Sequence, residues 1–358
     1  MSSARRIHVG SVAVGGGAPV SVQSMTCTRT ADAVETLGQI RRLALAGCEI
    51  VRVAVPDAES TEGFAAIVAA SPLPVVADIH FDWRLALSAL EAGAAGVRIN
   101  PGTIGSEPHV REVVDVAAER GAVVRIGVNA GSLPHTLRRL ADSRPAEALV
   151  EAALGSARRF DDWGFHDYKL SVKSSSVPVT IAAYRLLAER TEAPLHVGVT
   201  EAGTRWSGTV KSAVGIGTLL ADGIGDTIRV SLTADPVEEV RAAWAILAAL
   251  ALRRRGPDVI SCPTCGRTEI DVVSLAEEVE RRLQAYAAPI TVAVMGCRVN
   301  GPEEARHADF GIAGGVGEGI LFAHGERVGV VREELLVDEL FALIDAEFAA
   351  SLRAQTVG

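Results

Sequence analysis

The sequence predicts an α/β protein, a (β/α)8 TIM barrel followed by a small α+β domain, on three observations. Eight apolar, β-branched runs alternate with longer helical patterns through the first 250 or so residues of the 358-residue chain. Polar and charged side chains recur within those runs or at their C-terminal ends, where a parallel barrel gathers its active-site residues. A basic, Gly-Pro-containing break, "RRRGPD" (253–258), then separates a segment of different pattern.

The eight runs are "VSVQS" (20–24), "IVRVAV" (50–55), "PVVADI" (74–79), "AGVRIN" (95–100), "VVRIGVN" (123–129), "YKLSVK" (168–173), "LHVGVT" (195–200) and "TIRVSL" (227–232). Between them, segments such as 32–47, 107–120 and 204–221 place apolar residues at helical spacing. Gly47, Gly93, Gly121 and Gly164 fall where such helices end and a left-handed residue is needed. The division expected is residues 1–255 for the barrel and 256–358 for the second domain. In the latter the pattern predicts a strand up to Cys262, a helix near 272–287, a strand at 290–295 and a terminal helix near 333–352. The glycine-rich "GGVGEG" (314–319) reads as a loop, since no βα turn or downstream acid supports a dinucleotide site.

Composition narrows the function. Forty-eight per cent of residues are apolar, enough for a sizeable core. A formal charge of −9 argues against general nucleic-acid binding, although a few local arginines can still hold a small anion. The start "MSSARRIHVG" has no apolar signal region behind its arginines, and no run of about 18 apolar residues suggests a membrane span. A cytoplasmic protein is expected. Its five cysteines are an odd number, unevenly spread, which suits metal binding, catalysis or packing better than disulfides.

Polar residues that stand out within the runs or at their C-terminal ends are Arg52, Asp78, Arg98 with Asn100, Arg125 with Asn129, Lys173, Glu201, and Arg229 with Ser231. A charge within an apolar strand is costly to bury unpaired, so a set drawn from seven strands points to a site rather than to isolated ion pairs. His80 and His196, with apolar neighbours, read as supporting or core residues. After the break, "SCPTCGR" presents Cys262 and Cys265 as C-x-x-C, a spacing shared by zinc knuckles, redox dithiols and half of an iron–sulfur site. The sequence offers one more local thiolate, Cys297, followed seven positions on by Glu304. Three thiolates and a carboxylate suit a [4Fe–4S] cluster with one distinctive iron better than structural zinc, which favours cysteine and histidine. The alternative is a zinc-binding pair with Cys297 packed in the core.

"SCPTCGR" and "MGCRVNGPEEA" (295–305) together resemble the (E)-4-hydroxy-3-methylbut-2-enyl diphosphate synthase family. So do "VQSMT" (22–26), "IVRVAVP" (50–56), "ADIHFD" (77–82), "VRINPG" (97–102), "RIGVNAGSL" (125–133), "KLSVK" (169–173), "LHVGVTEAG" (195–203) and "GIGDTIRVSL" (223–232). The resemblance implies reductive ring opening of 2-C-methyl-D-erythritol 2,4-cyclodiphosphate. It implies a [4Fe–4S] cluster on Cys262, Cys265, Cys297 and Glu304, a ferredoxin or flavodoxin as electron donor, and a homodimer. Arg52, Arg98, Arg125, Asn129, Lys173, Arg229 and Ser231 would bind the diphosphate. Glu201 would donate or accept a proton, and Asp78 would orient a hydroxyl or an arginine. Departures from the family pattern fall at Cys27, Thr103, Trp206 and Glu303, and the alternative they leave is a paralogue acting on a related phosphorylated substrate.

Overall fold

The computed structural model describes residues 3–286, 288–298 and 301–356, with the backbone alone for Ser132, Pro302, Glu304 and 350–356. The chain divides into two compact units, Met1–Arg253 and Arg254–Gly358.

The first unit opens with a hairpin of β1 (Arg6–Val9) and β2 (Val12–Gly15). Eight parallel strands follow, β3 (Ser21–Met25), β4 (Ile50–Ala54), β5 (Val75–Asp78), β6 (Gly96–Ile99), β7 (Val123–Asn129), β8 (Tyr168–Lys173), β9 (His196–Val197) and β10 (Thr227–Ile228). They alternate with α1 (Ala33–Ala46), α2 (Glu59–Ala70), α3 (Trp83–Glu91) and α4 (Glu107–Arg120). Then come α5 (Arg138–Ser143) and α6 (Pro145–Asp162), both between β7 and β8, α7 (Val177–Ala188), α8 (Arg205–Ala221) and α9 (Pro236–Ala249). The sheet runs β8-β7-β6-β5-β4-β3-β10-β9, and a bridge from Leu170 to Leu195 brings β8 back to the chain entering β9. This is the expected barrel, with all eight runs as strands, several a residue or two shorter than read and the last two only two residues long. Gly47, Gly93, Gly121 and Gly164 each have positive φ, as helix ends require.

Pleating sorts the side chains. Val51, Val53, Ala77, Val97, Val124, Ile126, Leu170, Val172, Val197 and Ile228 belong to the large apolar core shared with the helices. Their strand neighbours alternate to the other face, the barrel interior, and there Gln23, Arg52, Asp78, Arg98, Arg125, Lys169, Ser171, Lys173 and His196 are all buried. At the N-terminal end the interior is apolar, because Ile7, Val9 and Val14 of the hairpin pack against Ile50, Val76 and Val123. The hairpin was not legible as strands. Each is four residues long, and its turn, Gly10-Ser11, uses a positive φ of 57° at Gly10 to join Val9 to its partner Val12.

The second unit contains β11 (Asp258–Ser261), α10 (Val272–Leu283), β12 (Thr291–Met295), α11 (Gly301–Ala305), β13 (Phe310–Gly315), β14 (Glu318–Ala323), β15 (Glu326–Arg332) and α12 (Leu336–Thr356). Its sheet runs in sequence order, parallel from β11 to β13 and antiparallel from β13 to β15. Val279, Val292, Val294, Phe310, Ile312, Leu340 and Ile344 fill one core. The loop expected at 314–319 is instead the end of β13, a tight turn and the start of β14. Most of its glycines serve close packing, since a Cβ at Gly314 would lie 2.4 Å from Ile270 and one at Gly319 2.8 Å from Leu336. Only Gly317, with a φ of 70°, is the turn glycine of this stretch. The α10 helix is shorter than the predicted 272–287, and the terminal helix starts later and runs longer than 333–352.

Ile7→Ala is expected to lower stability by about 2–5 kcal/mol in urea unfolding, because it empties a fully buried position in the barrel floor.

Candidate active site

At the C-terminal end of the barrel the inward residues form a cationic layer around one carboxylate. Asp78, at the end of β5, is 3% exposed. Its Oδ1 accepts a hydrogen bond from Arg98 Nη1 at 3.2 Å, and its Oδ2 lies 3.6 Å from Arg52 Nε and 3.3 Å from His80 Nε2. Burial alone would push the Asp78 carboxyl up. Arg52, the His80 contact and Arg98 outweigh it and hold the carboxyl well below the usual range. Arg52 also points Nη2 at Met25 Sδ, 3.0 Å away, and burial beside Arg229 and Arg98 lowers its guanidinium to about 10.

Register assembles the rest. Asp78 pairs with Arg98, Arg98 with Arg125, Arg125 with Lys169, and Asn129 with Lys173 across β5 to β8. Arg125 donates to Ser171 Oγ at 3.4 Å, while its Nε and Nη1 have no protein partner among the described residues. Burial, then the neighbouring guanidiniums, lower both Arg125 and Lys173 well below their ordinary values. Two inward glycines make this crowding feasible. A Cβ at Gly127 would lie 2.9 Å from Arg98 Nε, and one at Gly198 2.8 Å from Lys173 Nζ.

Arg229 is held from outside the strands. Glu239 of α9, 4% exposed, accepts from Leu232 N–H at 2.9 Å and from Ser24 Oγ at 3.2 Å, and its Oε2 lies 3.5 Å from Arg229 Nη2. Asn100 Oδ1 accepts from Gly102 N–H at 3.1 Å, shaping the loop after β6. Ser231 follows β10 and is partly buried. Glu201 lies beyond β9, exposed, in a left-handed conformation (φ 53°) that a non-glycine residue adopts at a cost of about 1–2 kcal/mol. The barrel thus brings Arg52, Asp78, Arg98, Arg125, Asn129, Lys173 and Arg229 to one end, as expected. His80 touches Asp78, as a supporting residue does, but not in the apolar surroundings expected of it. Its side chain is 55% exposed, and it meets Asp78 because β5 ends there and its flanking loop faces solvent. His196 is fully buried.

Among the described residues the interior gathers six basic side chains, Arg52, Arg98, Arg125, Lys169, Lys173 and Arg229, against Asp78, Asp226 and, reaching in from α9, Glu239. Lys169, Gln23, Glu239 and Asp226 were not singled out in the sequence. Lys169 shares a strand and a parity with Lys173, which is a signal of a common face. Glu239 gives no such signal, being one of two adjacent acids on a helix.

In the second unit the cysteines lie at the C-terminal ends of adjacent parallel strands. Cys262 directly follows β11 and Cys297 closely follows β12. Gly296 N–H donates to Cys262 Sγ at 3.1 Å, and Cys265 N–H donates to Thr268 Oγ1 at 3.1 Å. Hydrogen bonds from Arg267 pull the exposed Cys265 thiol below its ordinary value. An N–H donor on one sulfur and a lowered thiol on another suit thiolate ligands. Among the described residues no three His, Cys, Asp or Glu side chains are close enough together to hold one metal ion. Glu304 is in α11, but its side chain lies outside the described residues, as does Asn300 of the expected turn. Glu303 is exposed and pairs with Arg306 at 3.1 Å.

Comparison with known proteins now decides the family. The GcpE TIM-barrel domain matches residues 4–244, and the GcpE protein C-terminal domain matches residues 258–346. The chain belongs to the GcpE family. A Geobacter sulfurreducens relative named 4-hydroxy-3-methylbut-2-en-1-yl diphosphate synthase (flavodoxin) is 58% identical over 341 residues, 95% of this chain and 97% of that protein. One of the same name from Symbiobacterium thermophilum is 54% identical over 98% of this chain and 96% of its own. Among solved structures, 3-dehydroquinate dehydratase from Geobacillus kaustophilus covers 70% of this chain and 99% of its own, at a TM-score of 0.50 and 15% identity. That likeness is of fold alone.

Asp78→Asn should leave Arg52 and Arg98 without their shared counter-ion and cost about 3–5 kcal/mol at neutral pH. The sign follows from the depressed folded value. Asp78 contributes its stability above the ordinary carboxylate range and loses it as pH falls through the folded value. In urea unfolding the gap between wild type and variant should therefore be constant from pH 7 to about 5 and narrow below about 4.

Proposed function

We propose that this protein reduces 2-C-methyl-D-erythritol 2,4-cyclodiphosphate to (E)-4-hydroxy-3-methylbut-2-enyl diphosphate, the product for which its relatives are named. Opening the ring takes up two electrons and two protons and releases one water. The observation that carries this reading is the excess of buried cations around Asp78, which suits a compact dianion and is costly without one.

In this reading Arg52, Arg98, Arg125, Lys173 and Arg229 bind the diphosphate, the arginines through forked hydrogen bonds. Asn129 and Ser231 complete the polar shell. Asp78 fixes the Arg52 and Arg98 planes, and Glu239 does the same for Arg229. Glu201 exchanges a proton with the substrate, and its left-handed backbone is the kind of strain that functional loops retain. Cys262, Cys265, Cys297 and Glu304 hold a [4Fe–4S] cluster. That group supplies the one-electron transfers that no side chain offers. Residues 1–255 are then the substrate domain and 256–358 the redox domain, in a homodimer served by flavodoxin or ferredoxin. A cytoplasmic setting agrees with the lack, among the described residues, of any helix long and apolar enough to cross a membrane.

Anaerobic purification and reconstitution test the proposal. A brown protein with about four iron per chain that turns over the cyclodiphosphate is expected. Cys297→Ala should lose both the absorbance and the turnover. A colourless zinc protein, or a Cys297→Ala variant with full absorbance and activity, contradicts the proposal.

A further inference from the structure

Below the cations assigned to the diphosphate lies a second polar layer that this reaction scheme does not use. Lys169 on β8 is register-paired with Arg125 and is 1% exposed. Its Nζ has no protein hydrogen-bond partner among the described residues, nor do the two ring nitrogens of His196 or the two amide atoms of Gln23. These three come from β8, β9 and β3 and share the inward parity of the barrel. Tyr184 of α7 caps the layer from outside, donating to the His196 carbonyl and lying 3.3 Å from Ser171 Oγ.

The charges acting on Lys169 come from several elements. Arg125 on β7 and Arg52 on β4 repel a proton there, whereas Asp226, just before β10, attracts one. Asp226 is itself engaged, accepting from Leu195 N–H at 2.8 Å and from Ser3 N–H at 3.3 Å. His196 on β9 is disfavoured as a cation by burial and then by Arg125, Lys173 and Lys169, so it stays neutral. On its own strand Lys169 has Ser171 and Lys173 above it. Burial first, then Arg125 and Arg52, bring the Lys169 ammonium down to about 7. A dianion lying against Arg125 and Arg52 offsets the repulsion that these two exert, and only the ammonium form then gains from the new negative charge.

We propose that Lys169 takes up a proton from solvent when the anionic substrate occupies the barrel mouth, which makes Lys169 a positioning residue whose charge state is linked to binding. This rests on the anion-site reading of the mouth. The sign is fixed. At pH 8 the empty site holds mostly the neutral amine and the filled site the ammonium, so affinity falls as pH rises above about 7. The fall approaches about tenfold per pH unit until the bound-state value is reached.

The test is isothermal titration of the full-length, cluster-loaded protein with the cyclodiphosphate, without reductant, at pH 8 in buffers of different ionisation enthalpy. Each phosphorus of that ligand carries a single strongly acidic oxygen, so the ligand's own protonation is constant across the experiment. Wild type should take up protons on binding. Lys169→Met and Lys169→Gln should bind with about one proton fewer taken up per site, and their affinity should fall less steeply between pH 7 and 9. Neither variant is expected to unfold earlier than wild type, since each removes a buried amine with no protein partner among the described residues. If wild type fails to bind, the reading of the mouth falls and this inference with it. Binding without proton uptake in wild type, or uptake in either variant equal to that of wild type, overturns this inference alone.

Discussion

The organising constraint of this protein is the electrostatics of the barrel interior. Asp78 serves as counter-ion to both Arg52 and Arg98, at 3.6 and 3.2 Å, in a position only 3% exposed. Removing an isolated charge from water costs several kcal/mol even after relaxation, so an interior whose described basic side chains outnumber its carboxylates has an unmet demand for negative charge. The demand is directional. Guanidinium nitrogens of Arg98, Arg125 and Arg229 have no protein partner among the described residues, Arg98 and Arg125 are register neighbours, and Arg52 and Arg98 share Asp78. An anion that satisfies them is favoured both by charge and by preformed geometry.

The rest of the first unit supports that arrangement. The N-terminal hairpin closes the barrel floor with Ile7, Val9 and Val14, so the polar interior is shielded from that side. Gly127 and Gly198 leave room where any Cβ would strike Arg98 or Lys173. Glu239 reaches from a helix and ties Ser24, Leu232 and Arg229 together, which lets a residue outside the strands determine the orientation of one within them. Close packing makes such positions unforgiving, because neighbouring groups have no free volume into which to relax.

Much of this was legible in the sequence, for a physical reason. Barrel strands pack apolar side chains outward against helices, so a charge at alternate positions of an apolar run stands out, as Arg52, Asp78, Arg98, Arg125, Lys173 and Arg229 do. The cysteine spacing was legible because C-x-x-C has few uses. What escaped depends on packing in three dimensions. Gln23 and Lys169 look like incidental polar residues until pleating turns both into the barrel interior and register sets Lys169 beside Arg125. Glu239 lies on an amphipathic helix where an acid is unremarkable. The glycines of β13 and β14 read as a loop because composition cannot tell a turn glycine from one that admits Ile270 or Leu336. The hairpin of β1 and β2 is too short for its period to register.

The most direct measurement of the central claim is the melting temperature of the full-length protein as the cyclodiphosphate is added. If the buried cations are organised for a diphosphate, the temperature rises with ligand concentration, as binding to the folded state alone requires. Arg125→Met should reduce that rise while remaining folded. A melting temperature that stays constant at saturating cyclodiphosphate, in wild-type protein that is otherwise folded, would contradict the account.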